Sequence, residues 1–344
     1  MRNTKVTIND IAKEAGVSTA TVSRALNGLA VRDSSRKKVE AAVKKLDYVP
    51  NYFARGLSNK RSLAVGVLIT SMSNSYYMEI TEAIEKRLGD RGYMLLLCST
   101  GLDAALERKY LAELMSSRVD GCIVVDPLLE NYSSGFLKRI SARLPLVLVH
   151  PDLGIHDIDS IVIDQALGMR KVLDYLDSLG HKDICFVRGR VGHSYDIKEA
   201  VWRAFRAERG AQRADERLVI VPEGNSSQAI FEADEAFTAL LAKGKAPSAV
   251  FACNDLMARG VLRAIARAGL SVPGDISVCG HDNSVLAISG HIALSTVDLK
   301  MRSLGRAAVD LLFRAMDGID SEPLRVLLSP ELVVRDSTGP SSAR

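Results

Sequence analysis

The chain of 344 residues lacks any apolar run approaching the ~18–20 residues that a membrane span needs. Its polar, charged start also lacks the apolar core of a secretory signal, so the expected location is the cytoplasm, with no membrane partner. The five cysteines (Cys98, Cys122, Cys185, Cys253, Cys279) are scattered without CxxC spacing. Most sit in or beside strand-like runs, which points to buried thiols in a reducing compartment and away from disulfides or metal ligands. The six histidines (His150, His156, His181, His193, His281, His291) show no metal-ligand spacing. No Gly-rich phosphate loop follows the first strand-like run, and GxSxG is absent. These absences count against an enzyme and call for neither cofactor nor metal. One enzymatic reading stays open, because His150 and His281 both follow strands and could meet in a cleft, though no nucleophile accompanies them. A leucine-heptad tail is missing too, which favours a dimer over a tail-linked tetramer. Low-complexity sequence is confined to a polar tail at 336–344, expected to be disordered.

Charge is present but unevenly placed. Residues 1–62 hold 13 Lys and Arg against 5 Asp and Glu, whereas the whole chain holds 45 against 41. A basic first sixty residues on a mildly acidic body points to a nucleic-acid module joined to a second domain. Within it, Ile8, Ile11, Ala12 and Ala15 fall at i, i+3, i+4 and i+7, one apolar face of a helix. Thr7 with Asp10 forms a capping-box pattern that starts this helix. Gly16 can take the positive φ of a tight turn. Ser18 then caps a second helix whose Val22, Ala25 and Leu26 face the first, leaving Thr19, Ala20, Ser23 and Arg24 outward. Such a face suits a helix-turn-helix lying in a DNA major groove, with an ordinary αα-hairpin as the other reading. A third helix is predicted over 33–47, stopped by Pro50. The headpiece is thus 1–49. The segment 50–62, basic with Tyr52, Phe53 and Leu57 but carrying Gly56, is a hinge too short to hold a helix alone.

From residue 63 to 335 the pattern alternates β and α. Strands are expected at 63–69, 93–98, 121–125, 146–149, 161–163, 184–187, 218–221, 249–252 and 276–279. Helical patterns at 78–91, 104–117, 165–179, 230–242 and 255–268 separate many of them, with Gly92, Gly180, Gly210 and Gly269 placed to close helices. Short strands with crossover helices imply parallel sheets covered on both faces. So many strands predict two doubly wound lobes with a cleft between them, where ligands bind beyond the carboxyl ends of the strands.

The strings IAKEAGVSTATVSRALN, YVPNYFARGLS, RVDGCIVV, LGHKDICFV, PSAVFACNDLMARGVLRAI, GLSVPGDISVCGHDN and LSTVDLKMRSLGRAAVDLL occur in this order. Over nearly its whole length the chain resembles the lactose/galactose-repressor (LacI/GalR) family of bacterial transcription factors. The resemblance implies a DNA headpiece, a core like a periplasmic sugar-binding protein, and a homodimeric repressor of a pseudo-palindromic operator. It places Thr19, Ala20 and Arg24 on base edges, where an arginine fork suits guanine and Ala20 offers apolar contact. Thr7, Ser18, Thr21, Ser23 and Asn27 match backbone contacts or caps. Asn51 and Arg55 fall in the DNA-contacting hinge, and Leu57 matches a hinge leucine that wedges into a base step from the minor groove.

By the same resemblance a small-molecule effector sits between the lobes. Asn254 and Asp282 match polar positions at strand ends, and Tyr76 and Tyr77 match an aromatic pair after the first strand, with core packing as the other reading for Tyr77. Gln165 lies with Asp164 at a lobe crossover, and His150 is a further candidate. Two departures stand out. Counted back from Phe205, the family's ligand-binding arginine position is Val201, which Lys198 nearby could replace only partly. Asn225 stands where some purine-binding members carry an aromatic ring. Together they favour an uncharged or weakly charged carbohydrate, with a non-sugar metabolite or a protein co-effector such as a phosphocarrier protein as the alternative.

Overall fold

The computed structural model describes residues 6–26, 29–48, 61–210, 214–244, 246–318 and 322–342. The chain divides into two compact units, Met1–Leu63 and Ala64–Arg344.

In the first unit, helices α1 (Ile8–Ala15), α2 (Thr19–Leu26) and α3 (Asp33–Lys45) enclose Ile11, Ala12, Ala15, Val22, Val39 and Ala42. The Asp10 carboxylate reaches back to accept from the Thr7 N–H at 2.8 Å and the Thr7 hydroxyl at 2.7 Å, which starts α1. Gly16 closes it at φ +65°, a conformation that costs a side-chain-bearing residue roughly 1–2 kcal/mol. A Lys45–Glu14 pair at 2.7 Å ties α3 to α1. The third helix ends two residues earlier than its periodicity predicts, because Asp47 turns into the left-handed region at φ +46° before Pro50 is reached.

The second unit holds two parallel sheets. Its first lobe comprises β1 (Ala64–Ile69), α4 (Ser75–Gly89), β2 (Met94–Ser99), α5 (Ala104–Ser116), β3 (Gly121–Val125), α6 (Leu129–Ser133), α7 (Phe136–Ser141), β4 (Leu146–Pro151) and β5 (Ser160–Ile163). The chain then enters the second lobe through α8 (Gln165–Ser178), β6 (Ile184–Gly189), α9 (His193–Glu208), β7 (Leu218–Val221), α10 (Gln228–Leu241), β8 (Ala249–Ala252), α11 (Asp255–Arg267), β9 (Ser277–Cys279) and α12 (Val285–Ile288). After β10 (Thr296–Asp298) it returns with α13 (Met301–Met316) and β11 (Arg325–Leu328), and β12 (Glu331–Val333) leads back again. The six-stranded sheet runs β11-β5-β4-β3-β1-β2 and the four-stranded sheet β7-β6-β8-β9, every pair parallel. The chain therefore crosses between the lobes three times, and antiparallel β10 and β12 pair two of the crossings.

The core of the second lobe is aromatic. Phe186 on β6 lies between Trp202 of α9 (ring centroids 5.5 Å, 23°) and Phe251 of β8 (5.9 Å, 4°). The Trp202 indole N–H donates to the Ile184 carbonyl at 3.2 Å, which fixes the rotation of α9 about its own axis. Of the cysteines, Cys122, Cys185, Cys253 and Cys279 are buried thiols and Cys98 is half-buried. Among the described residues no helix is long and apolar enough to cross a membrane.

Two features depart from expectation. Strands β10, β11 and β12 are too short to show period-two alternation, and tertiary pairing alone reveals them. The polar stretch after Asp336 is also not disordered over the residues described. Ser337 is fully buried, accepts from the Ser295 N–H at 2.8 Å and donates to the Val278 carbonyl at 2.6 Å, while Gly339 faces His181 at 2.9 Å. Its polar side chains serve as edge partners for β9, so composition misleads here. Ser337→Ala is expected to lower unfolding free energy in urea by about 1–3 kcal/mol, since it leaves two buried backbone groups without their partner. A change near zero would mean the tail contributes nothing to the second lobe.

Candidate functional site

On α2, Thr19, Ala20 and Arg24 are exposed, with Thr21 and Ser23 half-buried beside them. The Ser18 hydroxyl accepts from the Thr21 N–H at 3.2 Å and lies 2.9 Å from the Thr21 hydroxyl, so Ser18 caps the helix. At the start of α1 the Thr7 hydroxyl instead donates to the Asp10 carboxylate at 2.7 Å. The Arg24 guanidinium donates to the Ala30 carbonyl at 3.1 and 3.3 Å, and Arg36 donates to the Leu29 carbonyl at 3.0 Å. Both arginines thus hold the loop that leads from α2 to α3. Asn27, Asn51, Arg55 and Leu57 lie outside the described residues.

In the second unit, polar side chains gather just beyond the carboxyl ends of parallel strands. Asn74 follows β1, Asp126 follows β3, Ser194 and Tyr195 follow β6, Asn225 follows β7, Asn254 follows β8 and Asp282 follows β9. With Tyr76, Tyr77, Gln165, Lys198, Cys253 and Leu299 they line an inner cavity of about 30 Å³ between the lobes. Tyr77, Asp126, Ser194 and Asn225 also line an adjoining chamber of about 410 Å³, again with walls from both lobes. The chamber falls within the ~300–1,000 Å³ typical of small-ligand sites. The lobes are drawn together by Ser227 N–H donating to Ser73 Oγ at 3.1 Å and by Val285 N–H donating to Glu79 Oε1 at 2.9 Å.

Each wall has a local cause. Asn74 caps α4 by accepting from the Tyr76 N–H at 3.0 Å, which turns Tyr76 and Tyr77 inward with their rings edge to face at 5.0 Å. The Tyr77 hydroxyl donates to Asp126 at 2.9 Å. Asp164 caps α8 by accepting from the Leu167 N–H at 2.8 Å, and so sets neighbouring Gln165 in the cavity wall. Gln165 Oε1 is buried with no hydrogen-bond partner. Asn254 is committed twice, accepting from the Met257 N–H at 2.9 Å and donating to the Gly224 carbonyl at 2.7 Å. Tyr195 packs on Gly189, where an added Cβ would stand 2.5 Å from its ring, and its hydroxyl reaches Asn225 Oδ1 at 2.7 Å.

Two expectations need correction. Val201 is half-buried and does not line the cavity. Buried Trp202 anchors α9, and the same four-residue spacing counted from Trp202 reaches Lys198, whose ammonium donates to the Cys253 carbonyl at 3.0 Å. The cation is therefore present, one helical turn before the anchor. His150 is likewise not a wall of the cavity. It is buried at the end of β4 with Nδ1 2.8 Å from the Pro151 carbonyl, and burial holds it neutral by lowering its pKa. His281 is buried against the Phe251 ring, so the two histidines form no pair in the cleft.

The electrostatics of the cavity are unusual. Burial pushes the Asp126 carboxyl up to about 6, against the Tyr77 hydrogen bond and the Lys198 charge that pull it down. Burial and then the neighbouring Asp255 carboxylate push Asp282 well above the usual range. Asp255 accepts from the Ser284 N–H (2.8 Å), the Ser284 hydroxyl (3.0 Å) and the Thr296 hydroxyl (2.7 Å), so Asp255 keeps the charge and Asp282 takes the proton. Asp282 also sits at φ +118°, a backbone strain of order 1–3 kcal/mol of the kind that persists at functional sites. Tyr195, Asn74, Asp126 and Asp255 were not singled out from sequence. Only their position after a strand could have flagged them.

A raised acid pKa means that the folded state binds the proton more tightly than the unfolded chain. The Asp126 contribution therefore disfavours folding progressively as pH rises from about 4 through about 6. Asp126→Asn is expected to stabilise the chain at pH 7, with the gain shrinking as pH falls toward 4, measured by denaturant unfolding across that range. A gain independent of pH would contradict the buried-carboxylate assignment.

Known families match a segment at the start of the chain and one in its second unit. Residues 7–51 match "Bacterial regulatory proteins, lacI family" and residues 173–338 match "Periplasmic binding protein-like domain". The chain is 33% identical over 340 residues to the HTH-type transcriptional regulator DegA of Bacillus subtilis (strain 168), covering 98% of this chain and 99% of that protein. The lac repressor dimer bound to operator and the anti-inducer ONPF superposes with a TM-score of 0.82 at 27% identity, covering 98% of this chain and 100% of that one. A LacI family regulator from Enterococcus faecium with bound ribose superposes at 0.69 and 25% identity, covering 80% of this chain and 99% of that one. The chain belongs to the LacI family of bacterial regulatory proteins, DNA-binding transcriptional regulators rather than enzymes.

Proposed function

We propose that this regulator is a homodimeric repressor of a pseudo-palindromic operator, controlled by a small hydroxyl-rich molecule of the carbohydrate class held between its lobes. The observation that carries the effector reading is the acceptor-rich cavity beyond the strand ends, where Gln165 Oε1 is buried without a partner. Hydroxyl groups are the natural complement to carboxylates and amide oxygens that are fixed and partly dehydrated. Tyr76, Tyr77, Gln165, Lys198 and Asp282 form the contact set, and Asn254 acts chiefly by holding the Gly224 carbonyl in place. The Enterococcus faecium relative with ribose supports this ligand class.

For DNA, exposed Thr19, Ala20 and Arg24 on α2 are the base readers, and Thr7, Ser18, Thr21 and Ser23 serve as caps and backbone contacts. Arg24 exchanges the Ala30 carbonyl for a base, trading one hydrogen-bond acceptor for two on a guanine edge. The hinge 50–62, with Asn51, Arg55 and Leu57, enters the minor groove in this reading. A second copy is the partner for a face that spans both lobes, where Met78, Val285 and Ile288 stand exposed around a groove of about 990 Å³. The operator-bound lac repressor dimer supports that pairing. A DNA-binding regulator of this kind works in the cytoplasm, beside the chromosome.

Arg24→Ala is expected to weaken operator binding by roughly 1–3 kcal/mol and to relax preference at one base pair per half-site, read by binding to a set of mutated operators. Equal losses on every sequence would make Arg24 a phosphate contact. Asp282→Ala is expected to cost about 1–3 kcal/mol of effector affinity by calorimetry, by leaving a ligand hydroxyl without its partner, while ligand-free operator binding stays unchanged. It is a cleaner probe than Asn254→Ala, which also removes a helix cap worth roughly 1 kcal/mol. Unchanged affinity in folded Asp282→Ala would move control to a protein co-effector.

A further inference from the structure

The charge lining the cleft points to a narrower class of effector. Among the described residues, Lys198 is the one Lys or Arg that lines either the inner cavity or the adjoining chamber. Its ammonium is spent on the Cys253 carbonyl. Facing it are two carboxyl groups without a cation of their own within ion-pair distance. Asp126 has the Tyr77 hydroxyl, and Asp282 has the buried His281 ring at 3.5 Å. The other acids of the outer chamber are already matched, Glu130 by Arg108 at 3.1 Å and Asp196 by Arg188 at 2.7 Å. Three tyrosines, Tyr76, Tyr77 and Tyr195, close the inner cavity on its aromatic side. Carboxylates beside aromatic rings in a dry site are the chemistry that recognises an ammonium group, through charge-assisted hydrogen bonds and attraction to the ring quadrupoles. The unpartnered Gln165 Oε1 adds an acceptor for a further N–H or O–H. An anion such as a sugar phosphate would instead face two carboxyl groups in a low-dielectric space.

We propose that the cleft takes a hydroxylated amine, an amino sugar or a compound of similar chemistry, with its protonated nitrogen bound by Asp126 and Asp282 against the tyrosine rings. This inference rests on reading the cleft as the effector site. The proton held by Asp282 leaves to solvent as the ammonium binds, so that the carboxylates of Asp126 and Asp282 then balance the charges of Lys198 and the ligand.

The test uses the full chain at pH 7 and sets of compounds on one hexose scaffold: the neutral sugar, its 2-amino analogue and its 6-phosphate, for glucose, galactose and mannose. A wider collection of hydroxylated amines, neutral polyols and hydroxylated acids is screened in parallel by thermal stabilisation, and Kd values follow by calorimetry. Amines are expected to outrank their neutral and phosphorylated counterparts by about tenfold or more in Kd. Binding in buffers of different ionisation enthalpy should report proton release for the amine alone. Asp126→Asn should erase the preference for the amine, and the compound ranking on the unaltered chain decides the matter even if that variant folds poorly. Tightest binding by an anionic or neutral compound, or a folded Asp126→Asn that keeps the amine preference, overturns the inference and leaves the cleft reading intact. Absence of any stabilising compound, whatever its charge, overturns the cleft reading and this inference together.

Discussion

The Asp255 carboxylate, wholly buried at the start of α11, is the group on which the arrangement of the cleft depends. It accepts from the Ser284 N–H and hydroxyl and from the Thr296 hydroxyl, so one side chain joins the second-lobe helix, the segment before α12 and the crossing strand β10. A buried charge with one partner removed would cost several kcal/mol, which makes the three donors mutually dependent. Burial first, and then the charge of this neighbouring carboxylate, keep Asp282 from ionising cheaply. The result is a protonated carboxyl on a strained backbone at the mouth of a strand, held ready for a ligand that brings its own charge or hydrogen-bond donors.

The stacked rings of the second lobe complete the other wall. Trp202 against Phe186 sets the rotation of α9, and that rotation decides which residue one turn earlier enters the cavity. Lys198 arrives there with Tyr195, while Val201 turns toward the half-buried flank. Contacts that join the lobes include the hydrogen bonds of Ser227 to Ser73 and of Val285 to Glu79. Surface hydrogen bonds of this kind contribute about 0.5–1.5 kcal/mol each, so small differences in ligand contact can shift how the lobes sit.

Much of the fold was legible because each element carries its own signal. The i, i+3, i+4, i+7 spacing of Ile8, Ile11, Ala12 and Ala15 and the glycine at 16 specify α1 and its turn within a few residues of chain. Seven of the nine expected strands are apolar runs buried on both faces, a pattern that parallel sheets impose, and the edge strands β2 and β7 are partly exposed. What escaped were β10, β11 and β12, three or four residues each, whose pairing partners lie far away in sequence. The tail after Asp336 escaped for a related reason, since serine and threonine hydroxyls that complete β9 read, in isolation, as solvent-seeking.

Sequence alone determined the headpiece helices, the exposed face of α2 and the two-lobed α/β architecture, because local periodicity carries that information, and the family resemblance pointed to Asn254 and Asp282. Tertiary structure decided that Asn254 is occupied as a cap, that His150 belongs to the core, that Lys198 and not Val201 faces the cleft, and that Asp126 faces it with Asp282. Each of these turns on which groups from distant segments share a dry space, and desolvation acts on that shared space, a property no single stretch of sequence contains.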